Sequence, residues 1–306
     1  MKNIPIKLLD NLEIKATNEE LNAYIKTQDN YIPTGVNMIN APLMWNKGYT
    51  GDGVKVAILD SGYTPHPDLD KNIIGGKNFT SEDGGNPNIF NDYNGHGTHV
   101  AGIIASDNKI MGVAPNAKLL ILKVLDKTGN GNCQGMYDAI NYAIEQKVDI
   151  INMSLGISIN VNEIHTMLKK AVDNNICVVC ACGNEGDGKA FTDEYSYPAG
   201  YNEAISVGAI DNARVNAVFT NSNKEVDLVA HGVNVVSTHL NYGYCSMSGT
   251  SQATPHVAGA LALLKEYYRK TFEKEPTEVE LYAQLIKRTV ELNLDRKLQG
   301  QGMLFL

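Results

Sequence analysis

Asp60, His96 and Ser251 are the residues whose types, taken together, suit acyl transfer. A serine hydroxyl is a weak nucleophile until a base removes its proton. An imidazole titrates near neutrality and can be that base. A buried carboxylate fixes the imidazole tautomer and stabilises the imidazolium. Asn184, set between Gly183 and Glu185-Gly186, adds an amide able to donate to a developing oxyanion. Each residue also has an ordinary reading: Ser251 as the N-cap of a buried helix, Asp60 and Asn184 as turn residues. Asp60-Ser61-Gly62 has the form of an aspartic-protease triplet, but that chemistry needs two carboxylates and no second copy is present. His96-x-x-His99 lacks the glutamate of a zinc-binding His-Glu-x-x-His helix, so His99 reads as a packed histidine.

The elements around these residues are legible. Val54–Leu59 is a strand of branched residues, and Asp60 stands at its C-terminal end, where ligands collect in open α/β sheets. Gly95 and Gly97 bracket His96 at the head of a small-residue helix. Gly249–Gly259 opens a helix that continues through Leu261, Leu263 and Leu264. Ser251 in its first turn lies among unpaired N–H groups at the positive end of the dipole, and Gly259 lets the helix pack closely on a neighbour. Asn184 follows a strand over 176–181. Further strands are predicted at 117–125, 148–154, 204–209 and 226–230, with helices at 134–146, 162–174 and 277–288 and an apolar tail at 303–306. The alternation predicts an α/β fold, doubly wound, with a mainly parallel sheet covered by helices on both faces, in a single domain. Cys177 and Cys180 would point to opposite faces of their strand, which argues for buried thiols rather than a metal site.

Bulk properties exclude other classes. The chain has 306 residues, 43% of them hydrophobic, enough for one large core. A net charge of −8 with no basic tract argues against nucleic acid or an anionic membrane as partner. No apolar run is long enough to span a bilayer. The N-terminus lacks the apolar core of a secretory signal, and five cysteines, an odd number, fit reduced thiols in the cytoplasm. Residues 1–30 read as an extension with a short helical pattern at 21–25, and Tyr31–Gly35 as a turn into the main domain, 31–306.

The motifs place the chain beside a known family. The sequence resembles the subtilases, the subtilisin-like serine proteases, from about Tyr31 to Leu306. The resemblance rests on Ile58-Leu59-Asp60-Ser61-Gly62 with His66-Pro67-Asp68-Leu69, on Gly95-His96-Gly97-Thr98-His99, on Asn152-Met153-Ser154-Leu155-Gly156, on Gly183-Asn184-Glu185-Gly186, and on Gly249-Thr250-Ser251. The order acid, base, nucleophile is the family's own. It implies that Asp60, His96 and Ser251 form a triad and that Asn184, with the Ser251 N–H, stabilises the oxyanion. It further implies that Gly129, Asn130 and Gly131 on one side, and Ser154, Leu155 and Gly156 on the other, hold an extended polypeptide substrate as an added strand. Ala181, Gly183 and Ser196 would line the primary specificity pocket, with an apolar or aromatic preference, and Cys133 and Met136 a second pocket on the acyl side.

The chain is most similar to the intracellular subtilisins of Gram-positive bacteria, whose short N-terminal arm lies across the active site until it is cut. Ile4, Pro5 and Ile6 match that arm, with Ile6 where an aromatic is expected, and proline would keep the scissile geometry wrong. The resemblance implies a short inhibitory propeptide, cleaved near residues 25–31. No cofactor is needed for the chemistry. The stretch 105–112 is shorter than the family's calcium loop, so its strong site is not expected despite Asp68; carbonyls near Ala199, Tyr201 and Ala204 are the candidates for a weaker structural cation such as Ca²⁺. Gln252 replaces the family's methionine, which predicts tolerance of peroxide, and His231 stands in place of a proline. The expected function is cytoplasmic endoproteolysis of broad specificity, with no nucleic acid or membrane partner and a homodimer left open. The competing readings are a processing protease with one precursor substrate and a peptide-binding pseudoprotease.

Overall fold

The computed structural model describes residues 4–8 and 18–306. Its strands are β1 Pro5–Leu8, β2 Lys55–Asp60, β3 Ile73–Asn78, β4 Lys118–Lys123, β5 Asn130–Asn132, β6 Ile150–Met153, β7 Leu155–Gly156, β8 Cys177–Ala181, β9 Ala204–Ile210, β10 Val226–His231, β11 Val235–His239, β12 Gly243–Met247, β13 Thr289–Val290 and β14 Met303–Leu304. Its helices are α1 Asn18–Thr27, α2 Thr34–Met38, α3 Ala41–Asn46, α4 His96–Ala105, α5 Cys133–Glu145, α6 Asn162–Asp173, α7 Thr250–Phe272, α8 Glu278–Ile286 and α9 Arg296–Gln299.

Nine strands form the central sheet in the order β13-β14-β10-β9-β8-β6-β2-β4-β3. From β14 to β3 every neighbouring pair is parallel; only β13 runs antiparallel. Parallel strands buried on both faces carry apolar residues on both sides, and β2 shows it. Val56 and Ile58 belong to one core cluster, whereas Ala57 and Leu59 belong to the other. Residues of α4, α7 and α8 fill the first cluster and residues of α5 and α6 the second, so helices cover both faces. Cys177 and Cys180 fall in opposite clusters, as strand alternation requires, and both thiols are free and buried.

The chain leaves β2 toward β3 and β4 on one side and then crosses to β6 on the other. Side chains at the C-terminal ends of strands beside such a reversal face an open crevice. Asp60 is the last residue of β2. Two helices bring their N-termini to the same end. α7 passes through the core and is buried from Thr250 to Glu266. Its close approach needs Gly259, where a Cβ would lie 2.6 Å from the Val113 Cβ. Gly97 does the same for α4, since a Cβ there would sit 2.3 Å from the Gly62 carbonyl oxygen.

Three local features differ from the sequence expectation. Thr34 and Gly35, expected in a turn, begin α2 behind Pro33, a residue suited to a helix entry because its φ is already fixed. The tail at 303–304 is a sheet strand, paired through Val229 and Met303. An antiparallel hairpin, β11–β12, packs on α4. Its turn places both Asn241 and Tyr242 in the left-handed region, at φ 57° and 56°; a bulky residue there is uncommon and masks the turn signal.

Candidate active site

The carboxylate of Asp60 and the imidazole of His96 meet directly. Asp60 Oδ1 accepts from His96 Nδ1 at 2.8 Å and from the Ser61 N–H at 2.7 Å. Both side chains are almost completely buried. Their pairing follows from the fold: β2 ends where α4 begins, and the first turn of α4 rests on the Asp60–Gly62 turn. The bond holds Nδ1 as the protonated nitrogen and turns Nε2 away from the carboxylate.

Ser251 stands in the first turn of α7, a helix packed against α4. Its hydroxyl donates to the Ser154 carbonyl at 3.1 Å, and the Ser154 hydroxyl donates to the Ser251 carbonyl at 2.9 Å. The second bond has a cause in the sequence. Pro255 lies four residues after Ser251 and has no N–H, so the Ser251 carbonyl lacks its ordinary helical donor. Ser154 supplies that donor, and Asn152 Nδ2 in turn donates to the Ser154 hydroxyl at 3.1 Å. The nucleophile candidate is thereby tied to the end of β6.

Asn184 lies three residues beyond Ala181, the last residue of β8. Its Oδ1 accepts from the backbone N–H and the hydroxyl of Thr250, both at 2.9 Å. With the oxygen so engaged, the amide NH₂ is the end directed away from Thr250. His99 is remote from this chemistry. It is fully buried, its Nε2–H donates to the carbonyls of Val235 and Cys245 at 3.0 and 3.3 Å, and burial pushes its pKa down to about 3.

The two segments expected to hold substrate carry a strand between them. β1 pairs antiparallel with β5 through Pro5–Asn132, Ile6–Gly131 and Lys7–Asn130, and with β7 through Lys7–Gly156 and Leu8–Leu155. The Leu8 N–H also donates to the Gly129 carbonyl at 2.9 Å. Ile6 is 0% exposed and joins the cluster of Cys133, Met136 and Leu155. Pro5 sits opposite Asn132, three residues before Leu8, at the start of β1. The Tyr197 and Ile157 backbones exchange two hydrogen bonds of 2.8 Å, which brings Ser196 beside the end of the β7 edge. Ala181 ends β8, next to β6, with Gly183 just beyond it.

The second part of the arm is anchored separately. Ile25 of α1 is buried against Ile110 and Tyr244, with Leu21, Tyr31 and Val236 around them. Asn22 Nδ2 donates to the Tyr244 carbonyl at 2.8 Å, and Asn22 Oδ1 accepts from the Tyr244 N–H at 2.7 Å. The sequence suggested a helical pattern here but not its docking site.

Two of the residues named as cation candidates have protein hydrogen-bond partners. The Asp68 carboxylate accepts from the N–H groups of Lys109 and Ile110 at 3.2 and 3.1 Å and from the Tyr244 hydroxyl at 2.8 Å. The Tyr201 carbonyl accepts from the Ala204 N–H at 3.0 Å. Among the described residues, no group of three or more His, Cys, Asp or Glu side chains is placed to hold a metal ion.

Comparison with known proteins agrees with this architecture. The subtilase family pattern matches residues 51–304. The chain is 57% identical over 283 residues to the intracellular serine protease of Paenibacillus polymyxa, covering 91% of this chain and 86% of that one. It is 53% identical over 282 residues to the major intracellular serine protease of Bacillus subtilis (strain 168), covering 90% and 88%. To the subtilisin of Bacillus pumilus it is 43% identical over 237 residues, covering 76% and 84%. The chain therefore belongs to the subtilase family and is a subtilisin-like serine endopeptidase.

Proposed function

We propose that the protein is an intracellular endopeptidase of broad specificity in which Asp60, His96 and Ser251 act as a triad and residues 1–30 form a short inhibitory arm. The Asp60–His96 bond at 2.8 Å carries the triad reading, because it orients the imidazole for one proton transfer. His96 takes the Ser251 proton as the hydroxyl oxygen bonds to the substrate carbonyl carbon. Asn184 Nδ2 and the Ser251 N–H at the α7 N-terminus receive the negative oxygen. His96 then gives the proton to the leaving amine as the C–N bond breaks, and water repeats the sequence on the acyl-enzyme. Asp60 keeps accepting from the His96 Nδ1–H throughout, which holds the ring in place.

Substrate would enter as a strand between Gly129–Gly131 and Ser154–Gly156, held by main-chain bonds that tolerate many sequences. Ala181, Gly183 and Ser196 would receive the side chain next to the cleaved bond. Latency is supported by β1, which occupies the same two edges. Cleavage would fall near residues 25–31, where Asp29 and Asn30 are exposed. The intracellular setting rests on the two relatives named for it; no helix among the described residues is long and apolar enough to cross a membrane.

The test is incubation of the wild type and Ser251→Ala, following arm cleavage and casein hydrolysis together, with fluorophosphonate labelling of the wild type. Label on Ser251 and cleavage of casein at many bonds are expected. A wild type that stays unlabelled after its arm has been cleaved refutes the triad, and a single cleaved partner with intact casein replaces broad specificity by precursor processing.

A further inference from the structure

Asp92 is a buried carboxylate that the mechanism above does not use, and every group around it is a donor. It is 4% exposed. Its Oδ1 accepts from the Ser61 hydroxyl at 2.9 Å and from the N–H groups of Asn94 and Gly95 at 2.9 and 2.8 Å. Its Oδ2 accepts from the Thr98 N–H at 2.9 Å and the Thr98 hydroxyl at 2.7 Å. All five of these bonds are accepted by the carboxylate, which lies at the positive end of α4.

These bonds join the two residues that the reaction must keep in register. Ser61 follows Asp60 and is fixed at each of its polar atoms. Its N–H donates to Asp60 Oδ1, its hydroxyl donates to Asp92 and accepts from the Gly97 N–H at 2.9 Å, and its carbonyl accepts from the buried Lys123 ammonium at 2.5 Å. On the other side, Gly95 and Thr98 bracket His96. The first turn of a helix has orphan N–H groups that need acceptors, yet the α4 N-cap is Gly95, which has no side chain to cap with. Asp92 and Ser61 perform the capping. A ring thus runs from Asp60 through Ser61, Asp92 and the α4 N-terminus to His96, and closes through the Asp60–His96 bond.

We infer that Asp92 is a positioning residue for the catalytic pair: it sets the separation and angle between Asp60 and His96 by anchoring both the β2 turn and the first turn of α4. The inference rests on the triad reading. Reacting groups displaced by a fraction of an ångström lose rate more than binding, so the signature is a fall in kcat with KM retained. Asparagine at 92 keeps the shape but presents an NH₂ to donors, which forces one side of the ring open.

The experiment compares full-length wild type, Asp92→Asn, Ser61→Ala and the double variant after identical processing, with active sites counted by fluorophosphonate. The readouts are kcat and KM on a tetrapeptide anilide and the proton resonance of His96 Nδ1–H. Asp92→Asn is expected to lower kcat about 10- to 100-fold with KM within about twofold, and to move or broaden the downfield Nδ1–H signal. Ser61→Ala is expected to lower kcat less, and the double variant to fall short of the product of the two, because both residues belong to one network. A folded Asp92→Asn with wild-type kcat and an unmoved resonance overturns the inference. If that variant does not fold, Ser61→Ala decides, and an unchanged kcat overturns it. A wild type that fluorophosphonate does not label overturns the triad itself, which separates that failure from this one.

Discussion

Replacing Ile6 by alanine probes the arm at a fully buried point. The side chain is 0% exposed and stands opposite Gly131, in the cluster of Cys133, Met136 and Leu155. The change deletes three carbons while leaving the backbone bonds of β1 in place. At about 0.8 kcal/mol per buried carbon the strand loses about 2.4 kcal/mol of docking free energy. With a factor of ten per roughly 1.4 kcal/mol, the open fraction of the uncleaved chain rises about 50-fold. The assay is the initial rate of tetrapeptide-anilide hydrolysis by chains whose intact mass is verified before and after the measurement. Uncleaved Ile6→Ala should run about 50-fold faster than uncleaved wild type, and the cleaved forms should be equal, because the arm is then gone. Equal slow rates for the two uncleaved chains would refute the claim that Ile6 holds the strand. An uncleaved wild type as fast as the cleaved enzyme would refute latency as a whole.

Other outcomes follow from the same geometry. Asn184→Ala, which removes the proposed oxyanion donor while Thr250 loses its acceptor, should lower kcat about 100- to 1000-fold with little change in KM; a fall confined to KM would make Asn184 a binding residue. Ile25→Ala should weaken α1 docking by about 2–4 kcal/mol. It should speed cleavage between residues 26 and 30 in a timed digest with added protease, and an unchanged rate would detach α1 from latency. Burial pushes the His231 pKa down from 6.5 to about 4, so the unfolded chain takes up a proton that the folded chain refuses as pH falls through that window. His231 therefore adds stability that is fully present above pH 6.5 and is lost toward pH 4, at about 1.4 kcal/mol per pH unit. Urea midpoints of Ser251→Ala with and without His231→Gln, at pH 6.5, 5.5 and 4.5, should show the shallower decline in the variant; parallel declines would exclude His231 as a contributor.

Much of the architecture was readable because its signals are local. A strand buried on both faces is mostly apolar, and 176–181 is so throughout, while 54–59 and 204–209 are so apart from Lys55 and Ser206. An amphipathic helix shows its stripe, as Met136, Ala139, Ile140 and Ala143 do on α5. The hairpin β11–β12 escaped because its turn residues are atypical, and the docking of α1 escaped because a single buried isoleucine and one asparagine make no pattern. Asp92, four residues before His96, has the form of a capping signal, but its bond to Ser61 spans 31 positions and nothing local announces it.

Residue type and spacing alone established the candidates for acid, base, nucleophile and oxyanion donor, because the reaction restricts each role to few side chains and each stands at the end of a predictable element. Tertiary structure decided how those elements meet. It made Ser154 the donor that replaces the hydrogen bond lost at Pro255, aimed the N–H groups of Lys109 and Ile110 and the Tyr244 hydroxyl at the Asp68 carboxylate, and buried Ile6 while leaving Pro5 at the start of β1. Hydrogen-bond partners and strand register depend on which segments become neighbours in space, and that is a property of the whole packed chain.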